Sequence, residues 1–167
     1  MTTTSPSARA DAKPSSLEAA DANTSSDITM LYLIKQLELA VRSQLDDVVS
    51  THGLTSLQYT ALTVLERHPG LTSAELARNS FVRSQTMAQM ITVLDERGLI
   101  ARQRDPDSKR QYLLSLTPEG QGLLDMLRED VAGIERKMVA DIDDGERSTL
   151  RRALRSCRVA LGGGHAH

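Results

Sequence analysis

The side chains that could do the most specific chemistry lie between residues 83 and 89. Gln85 and Gln89 are four residues apart, so on a helix they share one face. A glutamine amide both donates and accepts, which suits paired hydrogen bonds to adenine in the major groove of DNA. Ser84 and Thr86 are short hydroxyl residues near the predicted start of this helix, where free amides attract phosphate oxygens. The pattern predicts a DNA-contacting helix, and the competing interpretation is a polar face that only meets solvent.

A second candidate site is a short basic segment. Residues 97–112 hold two acidic residues and five basic ones, which are Arg97, Arg102, Arg104, Lys109 and Arg110. The segment therefore carries +3, and since the whole chain carries −2, the remainder carries −5. This asymmetry predicts that a polyanion is attracted to this segment and not to the rest of the chain. The competing interpretation is a solvated hairpin with ordinary surface charges.

Other reactive residues give weaker patterns. The four histidines, of which His165 and His167 fall in the terminal tail, show no His-Glu-x-x-His spacing, and no phosphate-binding or dinucleotide-binding glycine motif is present. We therefore expect no enzyme activity, no metal and no cofactor. The single cysteine, Cys157, lies on an apolar stripe between two arginines, which predicts burial rather than redox sensing.

Composition limits the class of protein. The 167 residues suffice for one domain, and only 2% are aromatic, so the core must come from aliphatic side chains that suit packed helices. No apolar run approaches the roughly 18 to 20 residues of a membrane span. One cysteine excludes an internal disulfide. These features predict a mainly α-helical, cytoplasmic protein that does not enter a membrane.

The ends of the chain differ from its middle. Residues 1–26 are mostly Ser, Thr, Ala and Pro, and we expect them to be a disordered tail, with residues 162–167 as a second flexible tail. From Asp27, apolar residues recur every three or four positions and predict a helix that ends near Gly53. Its stripe is broad enough to require a partner helix from another chain.

The middle of the chain alternates short elements. A second helix is predicted from Ser56 to about Arg67, and a third begins at a capping box formed by Thr72 and Glu75. The fourth ends before Gly98, and two extended runs, 99–104 and 110–116, follow around the turn-rich residues 105–108. A fifth helix is predicted at Thr117-Pro118, and a sixth at the capping box of Asp143 with Glu146. Helix, turn, helix and hairpin are the winged-helix arrangement.

An ordered set of segments resembles the MarR family of bacterial transcriptional regulators. The resemblance covers roughly residues 27–161 and is carried by Gly53–Tyr59, Leu71–Ala77, Thr86–Met87, Leu94–Ile100 and Arg110–Gly120. It implies a homodimer that binds double-stranded DNA at a pseudo-palindromic operator and that usually releases it when a small effector binds. By resemblance, residues 56–117 are the winged helix-turn-helix, and residues 27–52 and 118–161 are the dimerisation helices.

The resemblance also implies roles for individual residues. The fourth helix becomes the recognition helix, with Gln85 and Gln89 reading sequence, and with Arg83, Ser84 and Thr86 around its start. Arg104, Lys109 and Arg110 become the DNA contacts of the hairpin, or wing. Effectors of the family bind between the dimer helices and the winged domain, which places Tyr32, His52 and Tyr59 near a pocket.

Two positions depart from the family pattern. Ser108 stands two residues before the wing arginine, where the family usually has Asp. Phe81 occupies a turn position where the family often has Gly, so we expect Asn79 to supply any left-handed residue. Two other functions compete: a helical dimer that binds only proteins, and a metal or redox sensor acting through Cys157 or the tail histidines.

Overall fold

The structure, a computed structural model, describes residues 28–162, so the predictions for residues 1–26 and for the tail histidines lie outside it. The described residues form six helices and three strands. In chain order these are α1 Met30–Ser50, α2 Ser56–Arg67, β1 Leu71–Thr72, α3 Ser73–Asn79, α4 Ser84–Glu96, β2 Ile100–Asp105, β3 Ser108–Leu116, α5 Pro118–Met138 and α6 Asp144–Ala160. The mainly α-helical winged-helix prediction is confirmed.

The sheet has one strand more than the predicted hairpin. Its order is β1-β3-β2, all antiparallel, with Leu71 opposite Leu114 and Ile100 opposite Leu116. β1 is only two residues long, too short to show the alternation that marks a strand in a sequence. It ties the start of α3 to the wing, so the helix-turn-helix and the hairpin share one sheet.

The described residues divide into two compact units, one up to Ala40 and one from Val41 onward. The first is the beginning of α1, where apolar side chains are exposed and Lys35 pairs with Glu38 at 2.7 Å. In the second unit the core is aliphatic, as the composition predicts. Its fully buried large side chains are Val49, Leu62, Leu65, Leu76, Met87, Leu94, Leu114 and Leu127.

Local capping sets where the helices begin. The predicted capping boxes at Thr72 and Asp143 are present, and the Thr117 hydroxyl accepts a hydrogen bond from the Gly120 amide at 3.0 Å. A further capping box, Thr55 with Gln58, opens α2. Each cap satisfies amides that have no acceptor inside their own helix. These short-range signals explain why the predicted helix starts agree closely with the structure.

The turn between α3 and α4 differs from the expectation. Asn79 is the last residue of α3, and Phe81 itself takes the left-handed conformation, with φ of +55°. The amide of Phe81 donates to Arg78 O at 3.3 Å, and the amide of Val82 donates to Ala77 O at 3.1 Å. These bonds fix the path of the chain, so the turn demands a positive φ at residue 81 despite its side chain.

Cys157 is also placed differently from the prediction. It is exposed in the described chain, and α6 buries no residue there. The apolar stripe is real, but it has no partner within the second unit that covers it fully. The spacing of apolar residues shows which side chains share a helix face. It does not show whether the same chain or another chain packs against that face.

Among the described residues, no helix has both the length and the apolar character that crossing a membrane requires.

Candidate nucleic-acid interface

The start of α4 is an exposed cluster of polar side chains. Arg83 is the N-cap residue, and its side chain makes no capping hydrogen bond. Arg83, Ser84 and Gln85 are exposed, and Thr86 is half-buried. The first amides of a helix lack acceptors within the helix and carry the positive end of its dipole. This end of α4 therefore offers a guanidinium group, hydroxyls and amide donors to an anion.

The two faces of α4 are cleanly divided. Its buried residues are Met87, Met90, Ile91 and Leu94. Gln85 and Gln89 lie exposed on the opposite side, one helical turn apart, as the sequence predicted. Thr92 continues this exposed face three residues beyond Gln89, and its hydroxyl donates to Ala88 O at 3.2 Å. Sequence reasoning missed Thr92, although its spacing of seven from Gln85 places it on the same face.

The wing tip is a tight reversal between β2 and β3. Asp105 pairs with Ser108, and the register shifts between Arg104 and Asp105. The Asp105 carboxylate accepts a hydrogen bond from the Asp107 amide at 2.9 Å. An Asp side chain that bonds the backbone two residues on stabilises a turn locally. Asp105 thus supports the tip of the hairpin, next to its pairing partner Ser108.

The basic residues of the wing occupy different positions along the strands. Arg104 lies over the ring of Tyr112, its partner across the strands, with 5.4 Å between the guanidinium carbon and the ring centroid. Stacking on an aromatic ring limits the freedom of a long side chain. Arg110 is exposed in β3, and Lys109 precedes it in the same strand. The structure therefore brings Arg104, Lys109 and Arg110 to one hairpin.

The other two basic residues of this segment make internal contacts. Arg97 donates to the carbonyl oxygens of Gly53 at 2.6 Å and His52 at 2.8 Å. Arg102 pairs with Asp95 at 2.7 Å and so links β2 to α4. Arg97 therefore anchors the end of α4 to the turn between α1 and α2. Its acceptors lie 44 and 45 residues away in sequence, so no local pattern could have revealed this role.

A groove of about 450 Å³ separates the exposed face of α4 from the wing. Ala88 and Thr92 line it from α4, and Arg110 and Tyr112 line it from β3. The glutamine face and the basic hairpin are thus distinct surfaces with a concave strip between them.

The effector candidates do not converge on one cavity. Tyr59 lines a cavity of about 460 Å³ together with Glu66, Arg67, Arg128 and the apolar side chains of α5. His52 is not among the residues that line it, and its ring nitrogen Nδ1 lies 2.9 Å from Thr51 Oγ1. Tyr32 lies in the first unit, where it is exposed.

The Tyr59 cavity is polar on one wall. Burial, with a smaller contribution from the negative charge of Glu66, raises the pKa of the Tyr59 phenol. A hydrogen bond from Gln121, with further help from Arg128, lowers the pKa of Glu66. Gln121 Nε2 donates to Glu66 Oε1 at 2.8 Å, and Arg128 donates to the same oxygen at 3.0 Å. These bonds tie α2 to α5 across the cavity wall.

Within residues 28–162, no group of three or more His, Cys, Asp or Glu side chains is arranged to hold a metal ion.

Comparison with known proteins supports the winged-helix fold. The family model described as MarR family matches residues 52–111. A putative transcriptional regulatory protein for the hcr operon of Thauera aromatica is 32% identical over 62% of this chain, and the match spans 62% of that protein, less than two thirds of its length. An HTH-type transcriptional repressor of Mycobacterium tuberculosis is 28% identical, over 77% of this chain and 92% of that protein.

Solved structures show the same relationship. The crystal structure of a Mycobacterium tuberculosis MarR family protein in complex with salicylic acid is 27% identical, covers 80% of this chain and 98% of that chain, and superposes with a TM-score of 0.65. Sequence and fold lead to one conclusion: the chain is similar to MarR family proteins over most of its length and is a winged helix-turn-helix, DNA-binding transcriptional regulator.

Proposed function

We propose that the protein is a cytoplasmic, homodimeric repressor that binds a pseudo-palindromic operator and releases it when a small effector binds. It is not an enzyme, and it uses no cofactor. The observation that carries this proposal is the exposed polar face of α4, with Gln85 and Gln89 one turn apart beside a basic hairpin.

Recognition of the operator falls to α4. The helix lies in the major groove, where the amides of Gln85 and Gln89 pair with base edges. Arg83, Ser84 and Thr86 bind phosphates around the start of the helix and fix its register. This division follows from position, because residues 83, 84 and 86 surround the free amides of the helix, whereas residues 85 and 89 share the exposed face.

The wing supplies contacts that do not depend on sequence. Arg104, Lys109 and Arg110 bind phosphates or follow the minor groove next to the site of α4. The hydrogen-bonded turn at Asp105 stabilises the tip of this hairpin. The rest of the chain is negatively charged, and this charge weakens binding to DNA that lacks the operator sequence.

The proposed dimer interface is built from apolar side chains that are exposed to solvent in the described chain. In the second unit these include Met126, Met138, Leu150, Leu154 and Val159, all at least 39% exposed. In the first unit, α1 exposes Leu31, Leu33 and Leu37 as well. Many large apolar side chains left exposed on a single chain are typical of a subunit interface. Residues 27–52 and 118–161 therefore form the dimerisation part, with residues 56–117 as the DNA-binding part.

The effector site is the cavity beside Tyr59. Its phenol donor, Arg67 and aliphatic wall suit a small aromatic acid, and a salicylic acid complex is known for the mycobacterial protein. Tyr32 and His52 remain candidate contacts that a second chain brings within reach.

The test begins with operator selection. The full-length protein is incubated with a pool of random duplex DNA, bound sequences are enriched, and the winning sequence is titrated by fluorescence anisotropy. We expect an enriched, pseudo-palindromic sequence that binds at least about 1,000-fold more tightly than random duplex. A thermal-shift screen of aromatic acids then identifies the effector, which should lower operator affinity. No enrichment at all would contradict the proposed function.

A further inference from the structure

The turn between α3 and α4 carries an exposed aromatic side chain. Phe81 is the single phenylalanine of the sequence, and 76% of its surface is exposed. Its φ of +55° lies in the left-handed region, which a bulky residue rarely adopts. Glycine would fit this backbone without strain. The side chain therefore adds strain to the turn and buries little surface in return.

The neighbours of Phe81 hold its side chain away from the core. Ser80 is buried at 4% exposure, and Val82 packs against the core of the second unit. The amide of Ser80 donates to Leu76 O at 2.9 Å, and the amide of Val82 donates to Ala77 O at 3.1 Å. With the residues on both sides fixed inward, the side chain of residue 81 must stand in solvent.

The surroundings of Phe81 are those of the DNA-binding surface. It lies two residues before Arg83 and three before Ser84, the first residue of α4. Its exposed neighbours in the sequence, Asn79, Arg83 and Ser84, are polar. A protein partner usually needs a broad apolar patch. A single ring beside phosphate-binding groups fits a DNA duplex better.

We propose that Phe81 makes an apolar contact with the operator, and that its partner is the 5-methyl group of a thymine at the edge of the major groove. This inference rests on the proposed function. Thymine presents the one methyl group in the major groove, and aromatic side chains are among those that contact it. The turn before the recognition helix approaches the groove together with the start of that helix. Phe81 thus adds a preference for thymine to the hydrogen bonds that Gln85 and Gln89 make with base edges.

The contact can be removed without disturbing the fold. Phe81→Gly and Phe81→Asn both suit a positive φ, and neither removes a side chain from the core. We expect each variant to bind the selected operator about 10-fold more weakly than the wild type, since most of one aromatic side chain loses its burial. The slope of affinity against salt should not change, because no phosphate contact is lost. Arg83→Ala is the matched control, and it should reduce that slope.

Uracil substitution tests the thymine directly with the wild-type protein. Each thymine of the operator is replaced in turn by uracil, which lacks only the methyl group. At one position in each half-site, we expect the wild type to lose about 4-fold in affinity, whereas Phe81→Gly should lose nothing further there. Circular dichroism and sedimentation establish that the variants are folded and assembled as the wild type is.

The outcomes separate this inference from the proposed function. If the wild type selects no operator, the proposed function fails. If it selects one and Phe81→Gly binds that operator as tightly, the Phe81 contact alone is overturned. If Phe81→Gly binds weakly but every uracil substitution affects both proteins equally, the ring contacts DNA elsewhere and the thymine assignment is overturned.

Discussion

At the scale of single residues, position on α4 separates sequence reading from phosphate binding. Gln89 lies in the second turn of the exposed face, beyond the free amides at the start of the helix. If its amide pairs with a base, Gln89→Ala should cost roughly 1 to 3 kcal/mol of binding free energy on the operator and little on random duplex. Parallel anisotropy titrations of both DNAs measure this difference. Equal losses on the two DNAs would reassign Gln89 to the backbone.

For Arg110 in the wing, the expected effect is on the salt dependence of DNA binding. Arg110→Ala should remove about one phosphate contact per wing, so a dimer should lose roughly 1.8 from the slope of log affinity against log salt. Its melting temperature should barely change, because an exposed arginine contributes little to folding. The control is Arg136→Ala, which removes an exposed arginine of α5 that pairs with Glu129 at 2.7 Å. A slope that falls equally in both variants would mean that overall charge, and not the wing, binds DNA.

The residues of the candidate site could be predicted from the sequence where their placement depends only on local helical spacing. The exposed face with Gln85 and Gln89 follows from helical spacing, and so does Thr92 once that spacing is continued. The role of Arg97 could not be predicted, because the carbonyl groups that it binds belong to a distant turn. The left-handed conformation of Phe81 could not be predicted from propensity, because the surrounding hydrogen bonds impose it.

At the scale of elements, the start of α5 closely approaches Gly98 and Leu99, which join α4 to β2. A Cβ atom placed on Gly120 would overlap the carbonyl oxygen of Leu99. The Thr117 amide donates to that same oxygen at 3.2 Å, and the Thr117 hydroxyl donates to Gly98 O at 2.6 Å. The start of α5 is thus locked against the end of α4, and only glycine permits the contact.

This lock provides a stability test with an internal control. Gly120→Ala should lower the free energy of unfolding by roughly 1 to 3 kcal/mol, because backbone must move to admit the methyl group. Gly122 lies in the same helix, and a Cβ added there would meet no atom within 4 Å. Gly122→Ala should therefore raise stability by about 0.5 to 1 kcal/mol through helix propensity. Urea denaturation measures both, and two changes of the same sign would contradict the close approach.

The elements themselves were predictable to the extent that their signals are local. Capping boxes at Thr72 and Asp143, and the Thr117-Pro118 start, mark helix ends within a few residues of chain. β1 was not predicted, because its two residues are a strand only through pairing with Leu113 and Leu114 far along the chain. The exposure of Cys157 shows the same limit, since an apolar stripe does not reveal which chain covers it.

At the scale of the whole molecule, operator binding depends on two chains acting together. The described chain exposes apolar side chains on α1, α5 and α6 that the winged part does not need for its own core. Two recognition helices on one dimer would read the two halves of a pseudo-palindrome. The complex should therefore contain two chains for each operator.

The most direct measurement is sedimentation of the full-length protein, at micromolar concentration, with a fluorescent duplex of its selected operator. We expect a dimer in the absence of DNA and a complex of two chains per operator duplex. A duplex with one half-site scrambled should bind the dimer far more weakly, and a fully random duplex should leave the fluorescence sedimenting as free DNA. A folded monomer, a complex of one chain per duplex, or equal binding to operator and random DNA would show that the protein is not a dimeric, operator-specific regulator.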